Sequence, residues 1–460
     1  MDLGDGLTSR TSFIQDFPAS FVLYWLVLPN LAFMLMWTVG GPPMVPLFLR
    51  CGLAALIIAQ LPWVWFKRVS LAALAAYSVH YYIFTMFNMG PAQFDLLWSF
   101  LAEVRPMRSP EYIIAAVVLL VTITISVVRV QHVPRFSSPM SYMLAVIVLM
   151  AMMAADYSAT YSTRGSYRGA PPTGTAFASA VQQTGIDQPN AQRRNLVIVM
   201  VEALGVPAKD IDRGIFAADW NRPEWRTRFD ISSGVVPFYG STTRGEMREL
   251  CDRWENYDKV GDFAGECLPA RYREVGYETH ALHGFDGNLF DRQAWYPQIG
   301  FDTASFREDL MQRGLSHCAG VFAGACDREV PALIGDQLKR ATRPQLIYFL
   351  TLNTHLPIVV NEELGTTRCD MGTAQWAEEN REVCRLYQLQ HRLADALSEL
   401  AMDEQLPPTD FLIVGDHLPP FFNRADRARF DATSVPWILL RHREIPATGR
   451  SGIARDISSL

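Results

Sequence analysis

The first third of the chain is built from five apolar stretches, at about residues 18–39, 45–66, 69–89, 112–131 and 140–156. Each is close to the roughly 20 residues a helix needs to cross a bilayer core. Beyond residue 156 the pattern changes. Short apolar runs now end in polar side chains: Leu196–Val201 runs into Glu202, Gln345–Leu350 into Thr351-Leu-Asn-Thr-His355, and Phe411–Val414 into Gly415-Asp416-His417. Continuous apolar runs predict strands buried on both faces, hence a parallel sheet covered by helices, with helical stretches such as 374–402 between strands. Ligands of such sheets bind outside the carboxyl ends of the strands. Glu202, His355, Asp416 and His417 would then share one edge.

The predicted organisation is a transmembrane domain over 1–156, a connector over 157–194 rich in Ser, Thr, Gly and Pro, and an α/β domain over 195–460. Charge follows the same division. The 460 residues hold 41 Lys and Arg and 47 Asp and Glu, yet residues 1–156 contribute only 15 of these. A wholly soluble, fibrous or disordered protein is excluded. The net charge of -6 and the lack of Lys/Arg clusters argue against nucleic acid as a partner. Lys67-Arg68 after the second stretch, and Arg129 and Arg135 after the fourth, mark cytoplasmic loops. The uncharged Gly40 to Met44 turn and the mixed loop at 90–111 would lie outside, together with residues 157–460. Arg50 would snorkel to an interface. The first stretch lacks a basic leader and four more follow, so a span rather than a signal peptide is predicted.

Six of the seven cysteines (Cys251, Cys267, Cys318, Cys326, Cys369 and Cys384) fall in the polar part, and Cys51 in the apolar part. An even set behind membrane spans indicates an oxidising compartment. Sequence order suggests the pairs Cys251–Cys267, Cys318–Cys326 and Cys369–Cys384, one of about 15 possible connectivities. Structural zinc is the rival, although no CxxC pair is present.

Glu, Asp and His at adjacent strand ends suit a divalent cation. Plainer roles exist: Glu202 as the cap of a helix starting at Ala203, Asp416 in a turn, His417 at the surface. The segment Gly240–Cys251 reads as a turn leading into a helix N-terminus, a favourable place for phosphate. Thr243 and Glu246 fit a capping box, leaving Thr242 just outside the helix with a free hydroxyl. Such a hydroxyl is a weak nucleophile until a metal or base activates it.

In this order, with Thr242-x-x-x-Glu246 and the stretch His283-Gly-Phe-Asp-Gly-Asn-Leu-Phe-Asp-Arg292, the sequence resembles the lipoteichoic acid synthase group of the alkaline-phosphatase superfamily. It is similar, more distantly, to the membrane phosphoethanolamine transferases. The resemblance implies a five-helix membrane bundle joined to an alkaline-phosphatase-like, sulfatase-like α/β domain with a mostly parallel sheet. It implies Glu202, Thr242, Asp416 and His417 as metal ligands, Thr242 doubling as nucleophile, and a divalent metal: Mn2+ first, with Mg2+ or Zn2+ as alternatives. His283, Arg292 and His355 would hold the substrate phosphate, with Phe290 and Asp286 beside it. Phe290 replaces the family's tryptophan, and Phe285 stands where the family has an aspartate. The implied reaction moves a phospholipid headgroup, from phosphatidylglycerol or phosphatidylethanolamine, through phosphothreonine to a glycan or lipid acceptor. The implied location is the bacterial inner membrane, with a periplasmic catalytic domain. Two rivals stand beside it. Cys267-Leu-Pro-Ala-Arg271 matches the core of sulfatases, whose cysteine becomes formylglycine. A non-catalytic membrane sensor on the same fold is the other.

Overall fold

The computed structural model describes residues 16–86, 110–161, 171–189, 192–320, 322–421 and 424–443. The predicted loop at 90–111 lies outside these residues except for its last two positions. So do the end of the third predicted span and parts of the connector.

Among the described residues, four helices are long and apolar enough to cross a membrane: Ala19–Val39 (α1), Val64–Met86 (α3), Glu111–His132 (α4) and Pro139–Ala159 (α5). Between the first two lies the apolar helix Val45–Ile58 (α2). The predicted stretch 45–66 is thus divided between α2 and the start of α3. At 14 residues, α2 is about 21 Å long, short of a bilayer core of about 30 Å. The chain turns at 59–63, where Pro62 cannot continue a helix. Lys67 and Arg68 consequently lie inside the first turns of α3 rather than in a loop. Arg68 donates from Nη2 to Gln131 Oε1 at 2.9 Å, so the basic ends of α3 and α4 are neighbours. At the other end, the buried Asp156 of α5 accepts from Trp37 Nε1 and from Met44 N, both at 2.8 Å, fastening the turn between α1 and α2.

The polar part is organised by a seven-stranded sheet. Its strands are β1 Asn195–Val201, β2 Phe229–Pro237, β3 Glu278–His283, β4 Thr303–Ser305, β7 Gln345–Leu350, β8 Thr409–Gly415 and β9 Ser434–His442, in the order β2-β9-β8-β1-β7-β3-β4. A small ribbon pairs β5 His317–Cys318 with β6 Gly324–Ala325. β9 is antiparallel to both of its neighbours, β2 and β8, whereas β8, β1, β7, β3 and β4 are mutually parallel. Every residue of β1, β7 and β8 is buried. Alternate side chains feed two separate cores. Ile198, Met200, Tyr348 and Val414 face one; Val197, Val199, Phe349 and Ile413 face the other.

The six cysteines of the polar part join as Cys251–Cys267, Cys318–Cys326 and Cys369–Cys384, and Cys51 is free and buried. The first bridge ties the end of helix Thr242–Cys251 (α6) to the start of Leu268–Glu274. Cys251→Ser should lower the unfolding free energy of the polar domain by about 2–5 kcal/mol. Denaturant titration of the variant checks this.

Candidate functional site

The carboxyl ends of the parallel strands deliver the side chains the sequence marks. Glu202 follows β1, His283 closes β3, Thr351 to His355 follow β7, and Asp416-His417 follow β8. Glu202, Asp416 and His417 offer ligand atoms within 4.8 Å of one another, all buried. Thr242 Oγ1 donates to Glu202 Oε2 at 3.0 Å and lies 3.4 Å from His417 Nε2. His417 Nε2 is 3.2 Å from Glu202 Oε1 and 3.3 Å from Asp416 Oδ2. The backbone is shaped around this meeting point. Ala203, at φ 56, turns its N–H onto Asp416 Oδ1 at 2.9 Å. A left-handed alanine costs about 1–3 kcal/mol and persists only where its surroundings enforce it. A Cβ on Gly415 would stand 2.2 Å from Leu204 O, which holds that position to glycine.

Glu202 Oε1 and Asp416 Oδ2 are buried and accept no hydrogen bond. Two bare carboxylate oxygens and one imidazole nitrogen facing each other are costly unless a cation or protons lie between them. The donor set therefore fits a divalent metal, with Thr242 as a fourth oxygen ligand. Burial, then repulsion from Glu202, pushes Asp416 up to about 8. Burial depresses His417, but attraction to Asp416 and Glu202 wins and raises it to about 10. Burial would also raise Glu202, yet His417 and His355 hold it below the usual carboxylate range. Below those values the cluster holds protons that a metal must displace. Metal affinity should therefore rise steadily from pH 6 to pH 9, with proton release. Calorimetry in buffers of different ionisation enthalpy checks both.

Three histidines share one arrangement. Nδ1 of His283, His355 and His417 lies 3.1, 2.8 and 2.9 Å from the carbonyls of Leu350, Leu356 and Leu418. A carbonyl only accepts, so Nδ1 carries a proton in all three; Nε2 presents its lone pair in His283 and His355, while in His417 it keeps a second proton that a metal would displace. Burial, reinforced by Arg292, lowers His283 to about 3, and burial lowers His355 against the pull of Glu202. Both are therefore neutral at pH 7.

Two expectations change. The helix at Thr242 has no capping box. Ser241 is its extended N-cap and makes no side-chain cap bond, so Thr242 is the first helical residue. Glu246 is fully buried and turned to Arg292, whose Nε and Nη2 approach Glu246 Oε2 at 3.1 and 2.8 Å; Tyr296 also donates to it. Thr243 is buried behind the helix, leaving Thr242 as the hydroxyl at the cluster. Arg292 is thus first of all half of an internal ion pair. Asp286 is taken up by a turn, accepting from Asn288 N and Nδ2 at 2.9 Å. Phe290 packs beside a small cluster of Phe285, Leu289, Phe322 and Leu352, with the Arg292 guanidinium 5.3 Å from its ring centre.

Sequence reasoning passed over the supports. Thr351 Oγ1 accepts from Glu202 N at 2.9 Å, and Thr354 Oγ1 donates to Glu202 O at 2.6 Å, so the loop after β7 grips the end of β1. The spacing of Thr351 and Thr354 before His355 was the available signal. Arg248, paired with Glu249, donates to Gly415 O at 2.7 Å and to Asp416 O at 3.3 Å. Adjacent opposite charges on a helix read as a solvated face, so nothing in the sequence marked them.

A metal-type triad with a hydroxyl at the carboxyl edge of an α/β sheet is the class of centre this fold defines. Residues 252–452 match the sulfatase family model. That span holds His283, His355, Asp416 and His417, while Glu202 and Thr242 precede it. A protein of Rhizobium meliloti (strain 1021), described as a candidate cyclic beta-1,2-glucan modification protein, is 30% identical over 158 residues; the match covers 33% of this chain and 23% of that protein. Among solved structures, the lipoteichoic acid synthase LtaP of Listeria monocytogenes is 16% identical, over 59% of this chain and 70% of its own, at a TM-score of 0.43. The Streptococcus pyogenes phosphoglycerol transferase GacH, in complex with sn-glycerol-1-phosphate, is 18% identical over 56% and 72%, at 0.39. The lipooligosaccharide phosphoethanolamine transferase EptA of Neisseria meningitidis is 12% identical over 92% and 89%, at 0.41.

Proposed function

We propose that this chain is a membrane-anchored, metal-dependent phosphotransferase. It takes the phosphate ester of a phospholipid headgroup, phosphoglycerol in preference to phosphoethanolamine, and passes it through phosphothreonine at Thr242 to an envelope acceptor. The carrying observation is the meeting of the Thr242 hydroxyl with Glu202, Asp416 and His417 at the sheet edge nearest the membrane helices. That nearness is direct: a Cβ on Gly40, between α1 and α2, would lie 2.9 Å from Arg427 Nη1 and 3.2 Å from Phe421 O, just beyond His417.

In the first step Thr242 Oγ1 forms a bond to phosphorus as the bond to the diacylglycerol oxygen breaks; the threonine proton ends on that leaving hydroxyl. In the second, an acceptor hydroxyl oxygen bonds to phosphorus as the bond to Thr242 Oγ1 breaks, and the acceptor's proton returns to the threonine oxygen. A bound divalent cation would lower the threonine hydroxyl pKa and offset charge on the phosphoryl oxygens. Glu202 holds Thr242 in line, and Arg248 fixes the backbone of Asp416. His283 and His355, protonated as the phosphate docks, would donate to it through Nε2, with Arg292 adding positive charge nearby. A glycan acceptor is supported by the glucan named for the Rhizobium relative. The catalytic domain is placed outside the cytoplasm, in the periplasm behind a bacterial inner membrane, in keeping with its three disulfides.

The sulfatase rival has the structure against it, since the Cys267 sulfur is bonded to Cys251. Release of diacylglycerol from phosphatidylglycerol vesicles, stopped by chelator and restored by Mn2+, tests the reading. No release from either phospholipid by metal-loaded protein would sink it and favour the sensor.

A further inference from the structure

The five residues after His355 form a loop that is apolar throughout: Leu356, Pro357, Ile358, Val359 and Val360. Leu356 and Ile358 are buried, but Val359 and Val360 are 37% and 64% exposed. Their backbone is fixed. Arg385 Nε donates to Ile358 O at 3.0 Å, and Thr366 Oγ1 donates to Val359 O at 2.6 Å. Asn361 N donates to the same hydroxyl at 3.0 Å. Two adjacent valines are thus held in the open by a braced loop.

Single exposed apolar residues are ordinary. The position of this pair gives it meaning. On one side the loop begins at His355, whose ring meets Phe322 at 4.2 Å. On the other, Ile358 O is bonded to Arg385 of helix Arg381–Met402. Asn380, the N-cap of that helix, accepts from Arg429 Nη1 at 2.7 Å, and Arg427 lies against Gly40 in the turn between α1 and α2. That turn is at the end of the helices opposite the basic Arg68 and Arg129. The loop therefore lies between His355 and the outer end of the membrane helices, where headgroups and upper acyl chains would lie. A water-facing loop here would gain from polar side chains, whereas two valines gain by leaving water.

We propose that Val359 and Val360 rest in the interface of the outer leaflet and hold the acyl-glycerol end of a diacyl phospholipid, placing its phosphate beside His355. The proposal deepens the donor reading above and rests on it. It explains how one loop can serve both phases: its first residue meets the phosphate and its last two meet the lipid. It also gives the short apolar loop a task in orienting the donor, since a lipid fixed at its glycerol end has little freedom left at phosphorus.

The test uses the full chain in nanodiscs of phosphatidylcholine and phosphatidylglycerol that contain a nitroxide-bearing lipid. An environment-sensitive fluorophore is attached to Val360→Cys, the native thiols being bridged or, in Cys51, buried. Arg443→Cys, at the opposite end of the sheet, serves as control. Emission at position 360 should be quenched several-fold more than at 443; equal or absent quenching overturns the proposal. In vesicles, Val359→Ser combined with Val360→Ser should raise the apparent KM for phosphatidylglycerol roughly tenfold with kcat kept within about twofold. A fall in kcat at unchanged KM would assign the loop a structural role instead. Quenching does not depend on turnover, so a wild-type protein that transfers no headgroup would defeat the donor reading while the fluorescence still decides whether the loop meets the membrane.

Discussion

Thr242→Ala should remove headgroup transfer almost completely, by roughly three orders of magnitude or more, while the protein folds as before. Thr242 is half-buried at the first position of α6, its Oγ1 shared between Glu202 and His417. Removing it deletes the hydroxyl that meets Glu202 Oε2 and His417 Nε2 yet leaves the helix, its bridge at Cys251 and the Glu246–Arg292 pair in place. A partly exposed hydroxyl of this kind costs little stability. Thr243→Ala is the control. Its Oγ1 is buried and makes no hydrogen bond, so this change should leave transfer largely intact. Initial rates of diacylglycerol release with both variants, alongside circular dichroism, check the pair. Activity retained by Thr242→Ala and lost by Thr243→Ala would mean the neighbouring threonine is the nucleophile.

Asp416→Asn should abolish metal binding and activity together without destabilising the metal-free protein. Asp416 is wholly buried beside a second carboxylate, and its folded-state pKa is raised to about 8 by burial first and Glu202 second. An acid with a raised folded pKa costs stability as pH rises from its unfolded value through that pKa. The amide removes this cost. Its oxygen can still accept from Ala203 N and His417 N. The metal-free variant should therefore melt at or above the metal-free wild type at pH 7 and above. Wild type should gain about 2.7 kcal/mol at a metal concentration 100 times Kd, and the variant nothing. Thermal melts with and without Mn2+ after chelation decide it; a metal-dependent gain in the variant would remove Asp416 from the ligand set.

The readable part of this molecule is its strand ends. A buried parallel strand must be apolar throughout, so the first polar residue beyond it stands out. Glu202, His355, Asp416 and His417 were visible for that reason. The turn at Gly240 to Thr242 was legible too, though the wrong neighbour was given the capping role. A capping box and a buried ion pair place the same glutamate at the same spacing. Only the three-dimensional approach of Arg292, 46 residues on, decides that Glu246 is turned inward. Membrane spans were legible as composition but not as bounds: Pro62 ends α2 early, and α3 starts before its charged residues because Lys67 and Arg68 can sit within a helix end. The bracing of Asp416 by Arg248 was illegible, since it joins a helix to a strand end 168 residues away.

Covalent transfer through Thr242 leaves a mass increment that intact-protein mass spectrometry reads. Metal-loaded protein is mixed with phosphatidylglycerol or phosphatidylethanolamine, quenched in acid within the first turnover, and mapped by peptide mass. A phosphoglycerol adduct on the peptide bearing Thr242, formed only with phosphatidylglycerol and only with metal, is the predicted result. A phosphoethanolamine adduct at the same residue would keep the mechanism and reverse the donor. An adduct on any other residue, or a formylglycine aldehyde at 267 in place of the bridged cysteine, would contradict the account.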